Sequence, residues 1–219
     1  MIKGVVFDMD GILIDSEPYW QEEERNAFKT VGIDITPEMQ LKTHGVDADE
    51  VVDYWYNFQP WENVSHERLK EMVFENVEKH IQQKGKAMVG VSSIIEFFFR
   101  KKIPLALASS SPRRLINVVL QKLDLKHAFT AVCSAEDECH SKPHPAVYLT
   151  AAKKLQVQPV ECIAFEDSVT GMIAAKAARM KTVVIPEHNQ NDNKAFELAD
   201  LKLNSLLEFE EEHFLNLNQ

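Results

Sequence analysis

GVVFDMDGILIDSEP, residues 4–18, sets three aspartates into an otherwise apolar run. Val5, Val6 and Phe7 read as a buried strand, and Ile12, Leu13 and Ile14 carry the apolar character past it. Asp8 and Asp10 stand at the end of that strand, two residues apart. Burying a carboxylate is costly unless a partner compensates it, and two on one side of a strand repel each other. The rest of the chain has to supply the compensating charge.

Further along, short β-branched runs alternate with helical periodicity. Residues 2–8, 104–110, 129–134, 161–167 and 181–186 read as strands. Between them, Leu115, Val118, Val119 and Lys122 mark one helix, and Val147, Ala151 and Leu155 another. A third starts at Ser168, a residue type suited to an N-cap, and runs through MIAAKAARM. Strand and helix alternating in this way predict a parallel sheet covered by helices on both faces. Residues 16–84 break the pattern with amphipathic helices, one carrying Trp20, Glu24, Ala27, Phe28 and Val31 along a face, another Leu69, Met72, Val73, Val77 and Ile81. The expected organisation is an α/β core of residues 1–15 and 85–219 with a small inserted helical cap, 16–84.

The 219 residues suffice for one substantial core, or a core and a small second domain. A net charge of −10 disfavours nucleic-acid and anionic-membrane partners, which call for basic surface. Cys133, Cys139 and Cys162 form no CxxC pair, which suits a reducing compartment. The chain enters a strand within a few residues, so no signal peptide is expected, and no apolar run approaches a membrane span. A cytoplasmic monomer is expected.

In open parallel sheets ligands bind beyond the carboxyl ends of the strands. Those ends carry Asp8 and Asp10; Ser109, Ser110 and Ser111; Lys142 in SKPHP; and Glu166 with Asp167. Two carboxylates 4 Å apart repel by roughly 4 kcal/mol at an effective dielectric near 20. One lysine cannot hold four such groups ionised, so either some stay protonated or a divalent cation sits among them. An oxygen-only site with open positions suits Mg²⁺, which shares its shell with water and phosphate. Lys142 and the Ser109 hydroxyl then remain for a phosphate's other oxygens. Two blander readings compete. DMDG with Glu17 partly imitates a calcium loop, but that register puts Val6 at the first ligand position, after a strand. Helix capping would account for Glu166 and Asp167 taken alone, but not for all four strand ends together.

The four motifs together, DMDGILIDS, LASSS, SKPHP and EDSVTG, resemble those of the haloacid dehalogenase superfamily of phosphotransferases in order and spacing. The insertion after the first resembles the helical cap of its β-phosphoglucomutase-like subgroup. The resemblance implies a Rossmann-like fold in which Asp8 attacks phosphorus and Asp10 is the acid and base. It implies Mg²⁺ held by Asp8, the Asp10 backbone carbonyl and Asp167, with Glu166 behind them or an occasional ligand. It further implies that Ser109, Ser110 and Lys142 bind the phosphoryl group.

A dehalogenase needs no proton for its leaving halide, so Asp10 disfavours that class. A mutase of the subgroup carries a cap-hinge histidine where this chain has Trp20, which favours a phosphatase over a β-phosphoglucomutase-type isomerase. An inactive phospho-ligand or partner-binding protein would be expected to lack Asp8 or Asp10. DSEPYW, VVDYWYNFQPW and EDSVTGMIAAKAARM resemble bacterial phosphatases of hexitol phosphates and 2-deoxyglucose 6-phosphate, implying a small phosphorylated sugar or polyol as substrate. Trp20, His44, Trp55, Tyr56, Gln59 and Trp61 are candidates to face it, at least half of them expected to pack the cap instead. Gly45 is expected to permit close approach to the ligand.

Overall fold

The computed structural model describes residues 1–43, 45–187 and 190–219. In chain order they form β1 (Gly4–Phe7), α1 (Glu17–Thr30), α2 (Pro37–Gln40), α3 (Ala48–Phe58), α4 (His66–Lys84), α5 (Val91–Arg100), β2 (Leu105–Ser109) and α6 (Arg113–Lys122). There follow β3 (Ala131–Ser134), α7 (Ala146–Leu155), β4 (Cys162–Glu166), α8 (Val169–Ala177), β5 (Lys181–Val184), β6 (Leu201–Lys202) and α9 (Glu211–Leu217).

The strands form a parallel sheet in the order β3-β2-β1-β4-β5-β6. The chain builds outward from β1 through β2 and β3, then returns to the other side of β1 with β4. The order therefore reverses between β1 and β4, where an open α/β sheet leaves its ligand crevice. The five strands read from sequence are all present; β6 is a two-residue edge strand, too short to leave an apolar run.

Alternation along the strands separates two kinds of core. Val5, Phe7, Leu105, Leu107, Ile163 and Phe165 share a large-residue face with Phe98 of α5. Phe7 stacks on Phe165 at 4.8 Å. The opposite face offers Val6, Ala106, Ala108 and Ala164, small enough for α7 and α8 to lie close through Ala151, Ala152, Ala174 and Ala175. That close approach brings Tyr148 and Gly171 against the strand ends.

The helices α1–α4 fall between β1 and the remaining strands. Leu69, Val73, Val77 and Ile81 recur every four residues on the buried face of α4. Phe28 of α1 meets Trp55 and Trp61 edge-on, with ring centroids 6.4 and 6.0 Å away. The chain leaves and re-enters the sheet domain through two adjacent crossings: Ile14 bridges Ala87, and the Asp15 amide donates to the Lys86 carbonyl at 3.1 Å. No helix among the described residues is long and apolar enough to cross a membrane.

Candidate active site

β1 ends at Phe7, so Asp8 emerges directly over the crevice. Its carboxylate Oδ1 accepts from Lys142 Nζ at 2.6 Å. The same ammonium donates to Glu166 Oε1 at 2.7 Å and to the Ala108 carbonyl at 3.1 Å, and the lysine is only 3% exposed. All three ammonium hydrogens are thus used. Burial opposes the charge of Lys142, but Asp8 and Glu166 outweigh it and raise its pKa.

Glu166 is fully buried. Its Oε1 also accepts from the Tyr148 hydroxyl. Its Oε2 faces the amides of Asp167 and Ser168 at 3.2 and 3.4 Å and the Ser168 hydroxyl at 3.2 Å. Ser168 in turn caps α8, accepting from the Gly171 amide at 3.1 Å. One Glu166 oxygen therefore pairs with Lys142 and Tyr148, while the other braces Ser168, the residue that caps α8. Tyr148 is a partner that sequence reasoning missed, because α7 meets β4 only through the fold and no local motif joins them.

Asp10 is gripped by three donors. Its Oδ1 accepts from Ser16 Oγ at 2.5 Å and Trp20 Nε1 at 3.1 Å, and its Oδ2 from Ser111 Oγ at 2.7 Å. Trp20 thus makes a polar contact with Asp10, though not all that a histidine could make. What it lacks is an acceptor, since indole nitrogen only donates. Ser111, quoted at the strand end but given no role, is also brought to Asp10, while Ser109 Oγ accepts from the Ser111 amide at 3.0 Å.

Asp8, Glu166 and Asp167 each bring a carboxylate oxygen within 4.8 Å of the others. Burial pushes the Asp8 carboxyl up to about 7; Lys142 pulls it down, and Glu166 and Asp10 push it further up. Burial, then Asp8, Glu166 and Glu17, raise Asp167 well above the usual carboxylate range. One ammonium is too little charge for this cluster, and its donors are all oxygen. The residues fit a hard divalent cation. Gly11, at φ +71°, makes room for the arrangement, since a Cβ there would stand 2.0 Å from Asp167 Oδ2.

A cavity of about 260 Å³ spans these groups and the cap, lined by Asp8, Asp10, Ser109, Ser110, Lys142 and Asp167 below, and by Trp20, Glu24, Gln40 and Gly45 among others from the cap. Its size suits a small molecule. Gly45, at φ +72°, makes its close approach to α8: a Cβ would lie 2.7 Å from Thr170 Oγ1, which donates to the Gly45 carbonyl at 2.6 Å. Gly45 thus lines the cavity and also latches the helical insertion to α8. Trp55, Tyr56, Gln59 and Trp61 do not line the cavity. Trp61 Nε1 donates to the Val64 carbonyl at 2.9 Å and Gln59 Nε2 to that of Gly32 at 3.2 Å, both inside the cap. His44 lies outside the described residues.

A Rossmann-like parallel sheet, a helical insertion after the first strand and acidic groups at the switch point define an α/β enzyme with a carboxylate-lined site. A sequence profile for haloacid dehalogenase-like hydrolases matches residues 5–185, and the chain belongs to that family. It is 42% identical over 208 residues, 94% of each chain, to a protein named hexitol phosphatase B from Escherichia coli K12. It is 32% identical over 194 residues, 89% of each chain, to a phosphorylated carbohydrates phosphatase of Thermotoga maritima. The crystal structure of a β-phosphoglucomutase from Clostridium difficile superposes with a TM-score of 0.87 at 26% identity, covering 100% of this chain and 98% of that one. The expected family, fold and enzyme class are borne out.

Proposed function

We propose that the protein is a Mg²⁺-dependent phosphomonoesterase of small sugar or sugar-alcohol phosphates, acting through a phosphoryl group carried on Asp8. The single observation that carries this is the pair of differently held aspartates, Asp8 on Lys142 and Asp10 on three neutral donors. Kinship with two phosphatases of phosphorylated carbohydrates supports the substrate class.

Lys142 holds Asp8 Oδ1, and Oδ2, which accepts no hydrogen bond from a described residue, is the oxygen to attack phosphorus. As that bond forms, the ester P–O bond breaks and Asp10 gives its proton to the leaving alkoxide. Trp20 can only donate, so Oδ1 stays an acceptor throughout and Oδ2 is the oxygen that carries the proton; the Ser111 hydroxyl can turn to accept from it. Asp10 then takes a proton from water, whose oxygen attacks phosphorus and releases inorganic phosphate, restoring the Asp8 carboxylate and the Asp10 acid.

Mg²⁺ would be held by the Asp8 and Asp167 carboxylates and by Asp10 through its backbone carbonyl, and when bound it neutralises phosphoryl charge. Glu166, with both oxygens engaged, fixes Lys142 and α8 behind them. Lys142, Ser109, Ser110 and the amides after Asp8 would stabilise the phosphoryl oxygens. All the groups assigned a role here come from one chain, which supports a monomer, and the free cysteines suit the cytoplasm.

The test is phosphate release from hexose and hexitol phosphates, with Mg²⁺ and with chelator. Metal-dependent release from a few sugar phosphates is expected. Isomerisation of β-glucose 1-phosphate without release would make the protein a mutase and reject this reading.

A further inference from the structure

The cap's share of the cavity wall has a chemistry of its own. Glu17, Gln21 and Glu24 lie along one face of α1, and all three line the cavity with Gln40 of α2. Gln40 is buried and its amide is spoken for. Its Nε2 donates to the Gln21 carbonyl at 2.8 Å and to Glu24 Oε2 at 3.3 Å, while its Oε1 accepts from Arg25 Nη1 at 2.8 Å. Because a guanidinium only donates, Arg25 fixes which way the amide faces. Gln40 therefore holds Glu24 in place. Glu24 Oε1 accepts no hydrogen bond from any described residue. A half-buried acceptor without a donor favours a ligand that brings one.

Charge narrows the choice of ligand. Among the described residues lining the cavity the one cationic side chain is Lys142, already bonded to Asp8 and Glu166. The cap side offers Glu17, Glu24, Glu38 and Asp47. A hydroxyl can donate to Glu24; a phosphate dianion has no hydrogen to give and is repelled.

Resting on the phosphatase reading above, we infer that Glu24, steadied by Gln40, selects the far end of the substrate. It accepts from the hydroxyls of an uncharged polyol chain and turns away any second phosphate. Substrates are then monophosphates whose remaining carbons are neutral and hydroxylated.

The test compares, at pH 8, where the Glu24 carboxyl is ionised, kcat/KM for a hexitol 6-phosphate, a hexose 1,6-bisphosphate and acetyl phosphate, which has no hydroxyl to recognise. The wild type is expected to prefer the hexitol monophosphate over the bisphosphate by at least about tenfold. Glu24→Gln, which removes the charge, narrows that gap several-fold. Glu24→Leu, which removes the acceptor, lowers the ratio of hexitol phosphate to acetyl phosphate about tenfold or more, chiefly through KM. Equal use of mono- and bisphosphate by the wild type, or ratios unmoved in both variants, would overturn the inference and leave the phosphatase reading standing. Phosphate release from none of the three compounds would remove both.

Discussion

Asp10 shows how much of a site can hang on one ring nitrogen. Ser16 and Trp20 lie four residues apart at the start of α1, one turn of helix, and so both reach the same carboxylate oxygen. Trp20→Phe keeps the edge-on contact with Phe74, whose centroid is 6.0 Å away, and deletes only the N–H donor. A hydrogen bond to a charged group is worth roughly 1.5–3 kcal/mol. If about half of that is expressed in the transition state, kcat falls about tenfold with KM little changed and thermal stability held. An unchanged kcat in steady-state assay would show that Ser16 and Ser111 suffice. The motif made Asp10 legible in the sequence, and Trp20 stood among the candidates to face the substrate, but the bond between them was not legible. Residue type says what a side chain can donate; only the direction in which α1 leaves the first turn says to whom. Asp8 and Asp167 were legible because each follows a strand whose apolar run announces it, and Lys142 through the SKPHP motif in the loop beyond β3. Tyr148, which approaches from another element, had no such marker.

The first turn of α8 is wrapped around a carboxylate. A Cβ on Gly171 would stand 2.0–2.2 Å from the Glu166 carboxylate, while Ser168 and the amides at the start of the helix bond the same group. The tightness comes from the alanine-rich sheet face that lets α8 settle so low. Gly171→Ala is expected to cost about 1–3 kcal/mol of stability, the usual range for overpacking. For a chain of this size that lowers Tm by several degrees in a thermal melt. Because Lys142 is displaced along with Glu166, activity should fall by more than the melt explains. A variant with wild-type Tm would show that Glu166 can swing aside freely. In the sequence EDSVTG announced the strand end and the N-cap, whereas the need for glycine at its last position depends on the separation of β4 and α8. The edge strand β6 went unread for a related reason: two residues carry no period.

At the scale of the whole molecule, carboxylates stand on both walls of one cavity, Asp8, Asp10 and Asp167 on the sheet side and Glu17, Glu24, Glu38 and Asp47 on the other. Burial, and then the neighbouring Glu17 carboxylate, push Glu24 from an ordinary 4.5 up to about 7, against the pull of Gln40 and Arg25. Between those two pH values the folded chain holds a proton at Glu24 that the unfolded chain has released. Stability contributed by this residue is therefore fullest below pH 4.5 and is lost as pH rises through 7. Glu24→Gln escapes that loss. In urea denaturation it should be more stable than wild type by on the order of 1–3 kcal/mol at pH 8, with the gain shrinking toward zero near pH 4.5. A gain of the same size at both pH values would mean that Glu24 is solvated in the folded protein. The division into a sheet domain and a helical insertion was open to sequence reading, because hydrophobic period changes at its borders. The closeness of the two was not: the Gly45–Thr170 latch joins residues 125 apart in the chain.

Whether Asp8 carries the phosphoryl group is the question on which the mechanism rests. The direct measurement is acid quench of the enzyme during turnover of a sugar phosphate with Mg²⁺, followed by peptide mass spectrometry, with Asp8→Asn in parallel. The account predicts one phosphoryl group on the peptide containing Asp8. In Asp8→Asn it predicts no adduct, with phosphate release lowered by at least about 10³-fold. Phosphate release near the wild-type rate in Asp8→Asn, or an adduct on another residue, would contradict it.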